Sequence, residues 1–145
     1  NKRVKRSVEI KKNTSSVIQD RTIYEDACSF DPNLHHMGLM STRDYENYRS
    51  LYNLMILLVT PHVLPSYLRS SVSTLVNQIQ KRGREYEAGI RIDYLSKLNE
   101  RYEEWINTYE GKRLIIDVDT INFSERSEDL SEVINKIDAQ LYGLF

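Results

Sequence analysis

LIIDV, residues 114–118, is the clearest strand signal in this 145-residue chain: an apolar run ending beside Asp117 and Asp119. The pattern on either side of it is helical. Upstream, Leu95, Leu98, Tyr102, Trp105 and Ile106 recur at helical spacing and predict a helix over about 92–109. Downstream, Val133, Ile134, Ile137 and Leu141 predict a last helix over about 129–141. Further back, Leu75, Val76 and Ile79 mark a helix from about residue 71 that ends in Lys81-Arg82-Gly83-Arg84. Before it, Val63, Leu64, Tyr67 and Leu68 suggest another strand. Pro65 interrupts that strand and has no N–H for a ladder bond, so the strand is expected to be short or at an edge. A proline in a central strand would cost about 3 kcal/mol by analogy with its cost in a helix.

The first sixty residues follow the same logic. Residues 1–12 carry six Lys and Arg side chains around Val4, Val8 and Ile10, the pattern of an amphipathic helix with a solvated basic face. Asn13 to Ser15 reads as a turn, and it also matches a glycosylation sequon. Val17-Ile18 reads as a short buried strand running into Asp20-Arg21-Thr22. A helix is expected from residue 23 to about 37, stopped by Gly38. Ser41 with Asp44 resembles a capping box, and Tyr45, Tyr48, Tyr52, Met55 and Val59 follow at helical spacing. Short apolar strands separated by helices indicate an α/β sandwich with a parallel sheet, and the chain reads as a single domain over 1–145.

Composition narrows the function classes. Hydrophobic residues are 40%, charged residues 28% and the net charge is -1, values of an ordinary globular domain with no overall pull toward nucleic acid or anionic membrane. A single cysteine, Cys28, favours a reducing, cytoplasmic compartment and reads as a small core residue. His35 and His36 have no partner at metal-ligand spacing. The longest apolar run, residues 54–59, is too short to span a bilayer. The chain starts at Asn1 rather than methionine, which reads as a fragment, and it contains no G-x-x-x-x-G-K-[ST] phosphate loop.

Two stretches have the residue types of a phosphate site. In Asp20-Arg21-Thr22 the guanidinium fork suits phosphate oxygens and the carboxylate can orient it or help hold magnesium; the bland alternative is a helix N-cap. In residues 81–87, KRGREYE, three basic side chains around a glycine could close over a nucleotide and offset the charge of phosphoryl transfer. Basic residues favoured by a helix C-terminus account for Lys81 and Arg82, and less well for Arg84.

These features together resemble the deoxynucleoside kinase family, especially its bacterial deoxyadenosine/deoxyguanosine branch. Four stretches carry the resemblance: IQDRTIYED at 18–26, NLHHMGLM at 33–40, VNQIQKRGREYE at 76–87 and NERYEEWI at 99–106. The resemblance implies a P-loop kinase-like three-layer sandwich whose first βα unit, with the phosphate loop and general-base glutamate, lies upstream. It implies transfer of the ATP γ-phosphate, with magnesium, to the 5′-hydroxyl of a purine deoxynucleoside. By the same resemblance Arg21 contacts the reacting phosphate, supported by Asp20. Arg3 and Asp26 bond the base, Phe30 packs on it and Tyr24 lines the pocket. Arg82 and Arg84 bind phosphate, Glu87 binds the 3′-hydroxyl, and Asn122-Phe123 packs on the donor adenine. A homodimer through the helix at 43–59 is implied as well, and the chain by itself is expected to be inactive. A thymidylate-like monophosphate kinase and a non-catalytic binding module are the competing readings.

Overall fold

The computed structural model describes residues 2–12, 14–58, 64–87 and 89–143. They fall into two compact units: Asn1–Pro61 with Lys97–Trp105, and His62–Ser96 with Ile106–Phe145.

In the first unit, α1 (Lys2–Lys11) is the basic helix. The helix expected from residue 23 forms in three registers: α2 (Ile23–Glu25), a π-helical turn (Asp26–Phe30) and α3 (Asp31–His36). Gly38, at φ 71°, follows it in the left-handed conformation that glycine adopts at no steric cost. Helix α4 (Thr42–Met55) starts at Ser41, whose Oγ accepts the Asp44 N–H at 3.1 Å. The full capping box does not form, because the Asp44 carboxylate accepts from the Ser41 hydroxyl (2.7 Å). A 3-10 turn (Ile56–Leu58) extends α4. Ile23 and Met55 are the buried core, packed by Tyr24, Tyr52 and Ile56.

The expected strand at Val17-Ile18 is absent. Both residues lie in extended chain outside any strand, and Ile18 is 91% exposed. Two apolar residues are not enough without a neighbouring strand to take their backbone hydrogen bonds. Cys28, expected in the core, is exposed.

The second unit is built on two parallel strands, β1 (Ser66–Arg69) and β2 (Leu114–Asp117), paired from Ser66↔Leu114 to Arg69↔Asp117. Parallel strands need a long crossover. Here it holds α5 (Val72–Arg82), a 3-10 turn (Glu85–Glu87) and α6 (Ile92–Thr108), the middle of which belongs to the first unit. Helix α7 (Ser127–Tyr142) sets Val133 and Ile137 on Leu114 and Ile116, joined by Leu64, Val118, Ile121 and Phe123. Pro65 precedes the strand and interrupts nothing: its carbonyl accepts the Leu114 N–H at 2.9 Å. The expected penalty for a central proline therefore does not arise. Asn13, Val59 and the stretch 61–63 lie outside the described residues. No helix among the described residues is long and apolar enough to cross a membrane.

One carboxylate ties the two strand ends together. Asp119, just beyond β2, accepts the Ser71 N–H at 3.0 and 3.1 Å and the Ser71 hydroxyl at 3.2 Å, at the start of α5. The Ser71 N–H, first, and the Thr74, Ser71 and Ser70 side chains hold its carboxyl below the ordinary value of 3.8. The folded pKa is depressed, so this contribution to stability is present above the ordinary carboxylate range and lost as pH falls through the folded value. Asp119→Ala is expected to lower the urea midpoint at pH 7. The gap from the unsubstituted chain should narrow as pH is taken below 3.8.

Candidate functional site

The first unit gathers Arg3, Arg21, Tyr24, Asp26 and Phe30 from α1 and the segment that starts at residue 20. The segment is fixed by Thr22, which is 4% exposed and caps α2. Its Oγ1 accepts the Tyr24 N–H (3.2 Å), and Glu25 reaches back to the Thr22 N–H (2.8 Å) and to the Thr22 hydroxyl. This is a complete capping box. The T-x-x-E spacing at 22–25 is its signal in the sequence. Thus Asp20-Arg21-Thr22 does begin a helix, and that reading does not compete with a ligand role for Arg21.

Arg21 has φ 50° and is the one non-glycine with positive φ among the described residues. A left-handed arginine costs about 1–2 kcal/mol, and such outliers gather at functional sites. Gln19 Nε2 donates to the Arg21 carbonyl at 3.0 Å. The Arg21 guanidinium lies 4.7 Å from the Phe30 ring centroid. Phe30 in turn meets Tyr102 of α6 edge-on, at 6.3 Å between centroids. Burial pushes the Tyr102 phenol up to about 12, with Arg21 opposing. The aromatic pair therefore forms a wall against which the exposed, charged Arg21 is laid.

Beside it, Arg3 Nη1 is ion-paired and hydrogen-bonded to Asp26 Oδ2, with the side chains 34% and 15% exposed. Burial works against the Arg3 charge. Its hydrogen bond to Asp26 and the charges of Asp26, Glu25 and Asp20 outweigh that and raise its pKa. The pair joins two elements 23 residues apart in sequence. Tyr24 is half-buried and meets Tyr52 edge-on at 6.4 Å. Asp20 is exposed. No group of three or more His, Cys, Asp or Glu side chains among the described residues could hold a metal ion.

The second unit holds the basic loop. Gly83, at φ 63°, ends α5 and turns the chain so that Arg82 and Arg84 both approach Glu87. Arg82 grips it bidentately, Nε to Oε2 at 2.9 Å and Nη2 to Oε1 at 2.7 Å, while Arg84 Nη1 lies 3.7 Å from Oε1. Glu87 is buried at 9% exposure, yet both arginine side chains remain about half exposed. A cavity of about 540 Å³ opens here, lined by Val76, Ile79, Ile90 and Leu95 together with Arg84 and Glu87. Asn122 is held by its backbone: its N–H donates to the buried Asp129 carboxylate at 2.6 Å. Its side-chain amide donates to Glu125 (2.9 Å), which is ion-paired with Lys81. Phe123 packs into the sheet core.

The comparisons with known proteins agree with one another. The family model "Deoxynucleoside kinase" matches residues 1–142. The chain is 33% identical over 127 residues to the deoxyadenosine/deoxycytidine kinase of Bacillus subtilis (strain 168), across 83% of this chain and 58% of that protein. It is 33% identical over 135 residues to the deoxyguanosine kinase of Lactobacillus johnsonii, across 86% of this chain and 59% of that protein. It thus spans less than three-fifths of the length of either relative. Among solved structures, a deoxyadenosine kinase from M. mycoides with dCMP and dCDP bound superposes with a TM-score of 0.78. That match is 28% identical and covers 95% of this chain and 69% of the other. The same enzyme with dATP bound gives 0.74 at 28% identity, over 93% of this chain and 68% of that one.

The cap that sets this site is testable by itself. Thr22→Ala removes the hydroxyl that serves the Tyr24 N–H and should cost about 1 kcal/mol in chemical denaturation.

Proposed function

Because this chain belongs to the deoxynucleoside kinase family, we propose that it is the C-terminal part of a single kinase domain that phosphorylates the 5′-hydroxyl of a purine deoxynucleoside, with ATP as donor, in nucleotide salvage. The observation that carries this reading is the Arg3–Asp26 pair, with Asp26 on the same helical turn as Phe30. A guanidinium can only donate hydrogen bonds and a carboxylate can only accept them, so together they complement a base edge that offers an acceptor beside an amine. The Phe30 ring supplies a flat apolar face for the same base. A site built to bond polar groups strongly rejects analogues that lack them.

The remaining residues fall into roles around that base. Arg21 is the cation for the reacting phosphate, with Asp20 next to it, and Tyr24 lines the nucleoside pocket. Arg82 and Arg84 bind phosphate, and Glu87 accepts the 3′-hydroxyl. In the present structure those two arginines neutralise Glu87 instead. Ligand binding then amounts to an exchange, in which phosphate oxygens replace Glu87 as the partner of the arginines and a sugar hydroxyl replaces the arginines as the partner of Glu87. Magnesium belongs to this reading too. One exposed carboxylate, Asp20, suits an ion that takes most of its ligands from phosphate and water. Asn122-Phe123 is the proposed donor-adenine loop, and a cytoplasmic location fits the lone Cys28.

A homodimer through residues 43–59 is also proposed. Met55 is buried, Tyr48 and Tyr52 are partly buried, and Tyr45 stacks on His35 at 4.6 Å. The exposed apolar residues are Leu51, Leu54, Leu57 and Leu58, at 52–78%. Such a patch marks an interaction surface.

Two measurements on the whole gene product test these readings. Deoxyadenosine or deoxyguanosine should be phosphorylated in preference to thymidylate, and Arg21→Ala or Arg84→Ala should lower kcat by about 100-fold or more. Preference for thymidylate points to a monophosphate kinase, and unchanged turnover in both variants points to a binding module. Sedimentation at micromolar concentration should show a dimer that Leu54→Glu converts to a monomer; a monomer before substitution rules the dimer out.

A further inference from the structure

Arg82 and Glu87, which serve two different ligands in the reading above, are bonded to each other here. Glu87 is fixed in the 3-10 turn beyond Gly83: its N–H donates to the Arg84 carbonyl at 2.9 Å, and its carbonyl accepts the Ile90 N–H at 3.1 Å. Its carboxylate is buried, and each of its oxygens accepts a hydrogen bond from Arg82, from Nε at 2.9 Å and from Nη2 at 2.7 Å. Arg84 Nη1 adds its charge from 3.7 Å. Arg82 lies in the last turn of α5 with its side chain about half exposed. The carboxylate is thus the enclosed member of the pair, and the guanidinium is the accessible one.

Such a pair ties the two ligands together. A neutral sugar hydroxyl offers Glu87 a single donor, which does not displace two charge-assisted hydrogen bonds from a guanidinium fork. A phosphate that approaches the remaining N–H groups of Arg82 meets the Glu87 charge beside the same guanidinium. If it draws Arg82 away, it leaves a buried carboxylate without its bidentate partner, and breaking one side of a buried ion pair is strongly unfavourable. Either ligand alone must open the pair by itself; the two together open it once. We infer that the Arg82–Glu87 pair couples the two ligands: a bound donor polyphosphate raises the affinity for the deoxynucleoside, and the deoxynucleoside raises the affinity for the donor by the same factor. This inference rests on the nucleoside reading and on the roles given there to Arg82 and Glu87.

Calorimetric titration of the whole gene product tests this. The Kd of deoxyadenosine should fall about fivefold or more when a non-hydrolysable ATP analogue is saturating, and the Kd of the analogue should fall by the same factor in saturating deoxyadenosine. Arg82→Gln keeps most of the side chain and removes the charge. It should weaken binding of the analogue, tighten binding of deoxyadenosine alone and abolish the coupling. Arg82→Lys, a cation without the fork, should leave an intermediate factor. Equal Kd values with and without the second ligand in the unsubstituted protein overturn the inference. Coupling that survives undiminished in Arg82→Gln overturns it as well, because it then arises elsewhere in the protein. If the unsubstituted protein binds the analogue and no deoxynucleoside, the nucleoside reading falls and takes this inference with it. Independent binding of both ligands sinks this inference alone.

Discussion

Among the described residues the one left-handed arginine and the one complete capping box are adjacent, at Arg21 and Thr22, and the geometry of the first unit depends on that junction. A helix start leaves several N–H groups without partners. Thr22 and Glu25 satisfy those at this start with side chains seated in the protein. That fixes the phase of the helical segment, and with it the direction of Asp26 and Phe30. It also leaves Arg21 just outside the helix, in a strained conformation, where its charge is laid against Phe30. A shift of one residue in the cap would turn every one of these side chains by about 100°.

The second unit uses a different device for the same purpose. A strand pair of four residues each is small, and its order comes from what is fastened to it. The α7 side chains cover Leu114 and Ile116 from one side. At the carboxyl end of the strands, Asp119 binds the start of α5. In open α/β folds this is the end where ligands gather, so the tie that stabilises the unit also sets the origin of the helix that carries the basic loop.

Helices were legible in the sequence because apolar spacing is a local property. Leu95 and Ile106 are both buried at their predicted positions in α6, and α5 ends at Gly83 as its sequence requires. The LIIDV strand was legible for the same reason. Val17-Ile18 was misread because a strand is defined by its neighbour, and two apolar residues say nothing about one. The Pro65 question had a similar origin: whether proline harms a strand depends on where the ladder begins, which here is the next residue. In the candidate site, Arg3 and Asp26 were named only through a family resemblance, and the structure brings them together. The contribution of Tyr102 to the Phe30 wall was not visible, because nothing local links residues 72 positions apart. The π-helical register was hidden too, since no residue in DACSF demands it.

That register has a consequence in terms of insertion and deletion. A π-helical turn is an α-helix that has absorbed one extra residue without breaking. Between Asp26 and Asp31 the segment therefore has one residue more than an α-helical turn would hold. Loss of any one residue there would restore ordinary α register and leave both flanking helices intact. The flanking helices would keep nearly their present phase, because the π-helical turn is what absorbs the extra residue. Asp31 would still lie one turn beyond Asp26, and the change would fall on the residues inside the turn, Ala27, Cys28 and Ser29. The extra residue is therefore a local feature, which the flanking helices do not need for their own phase.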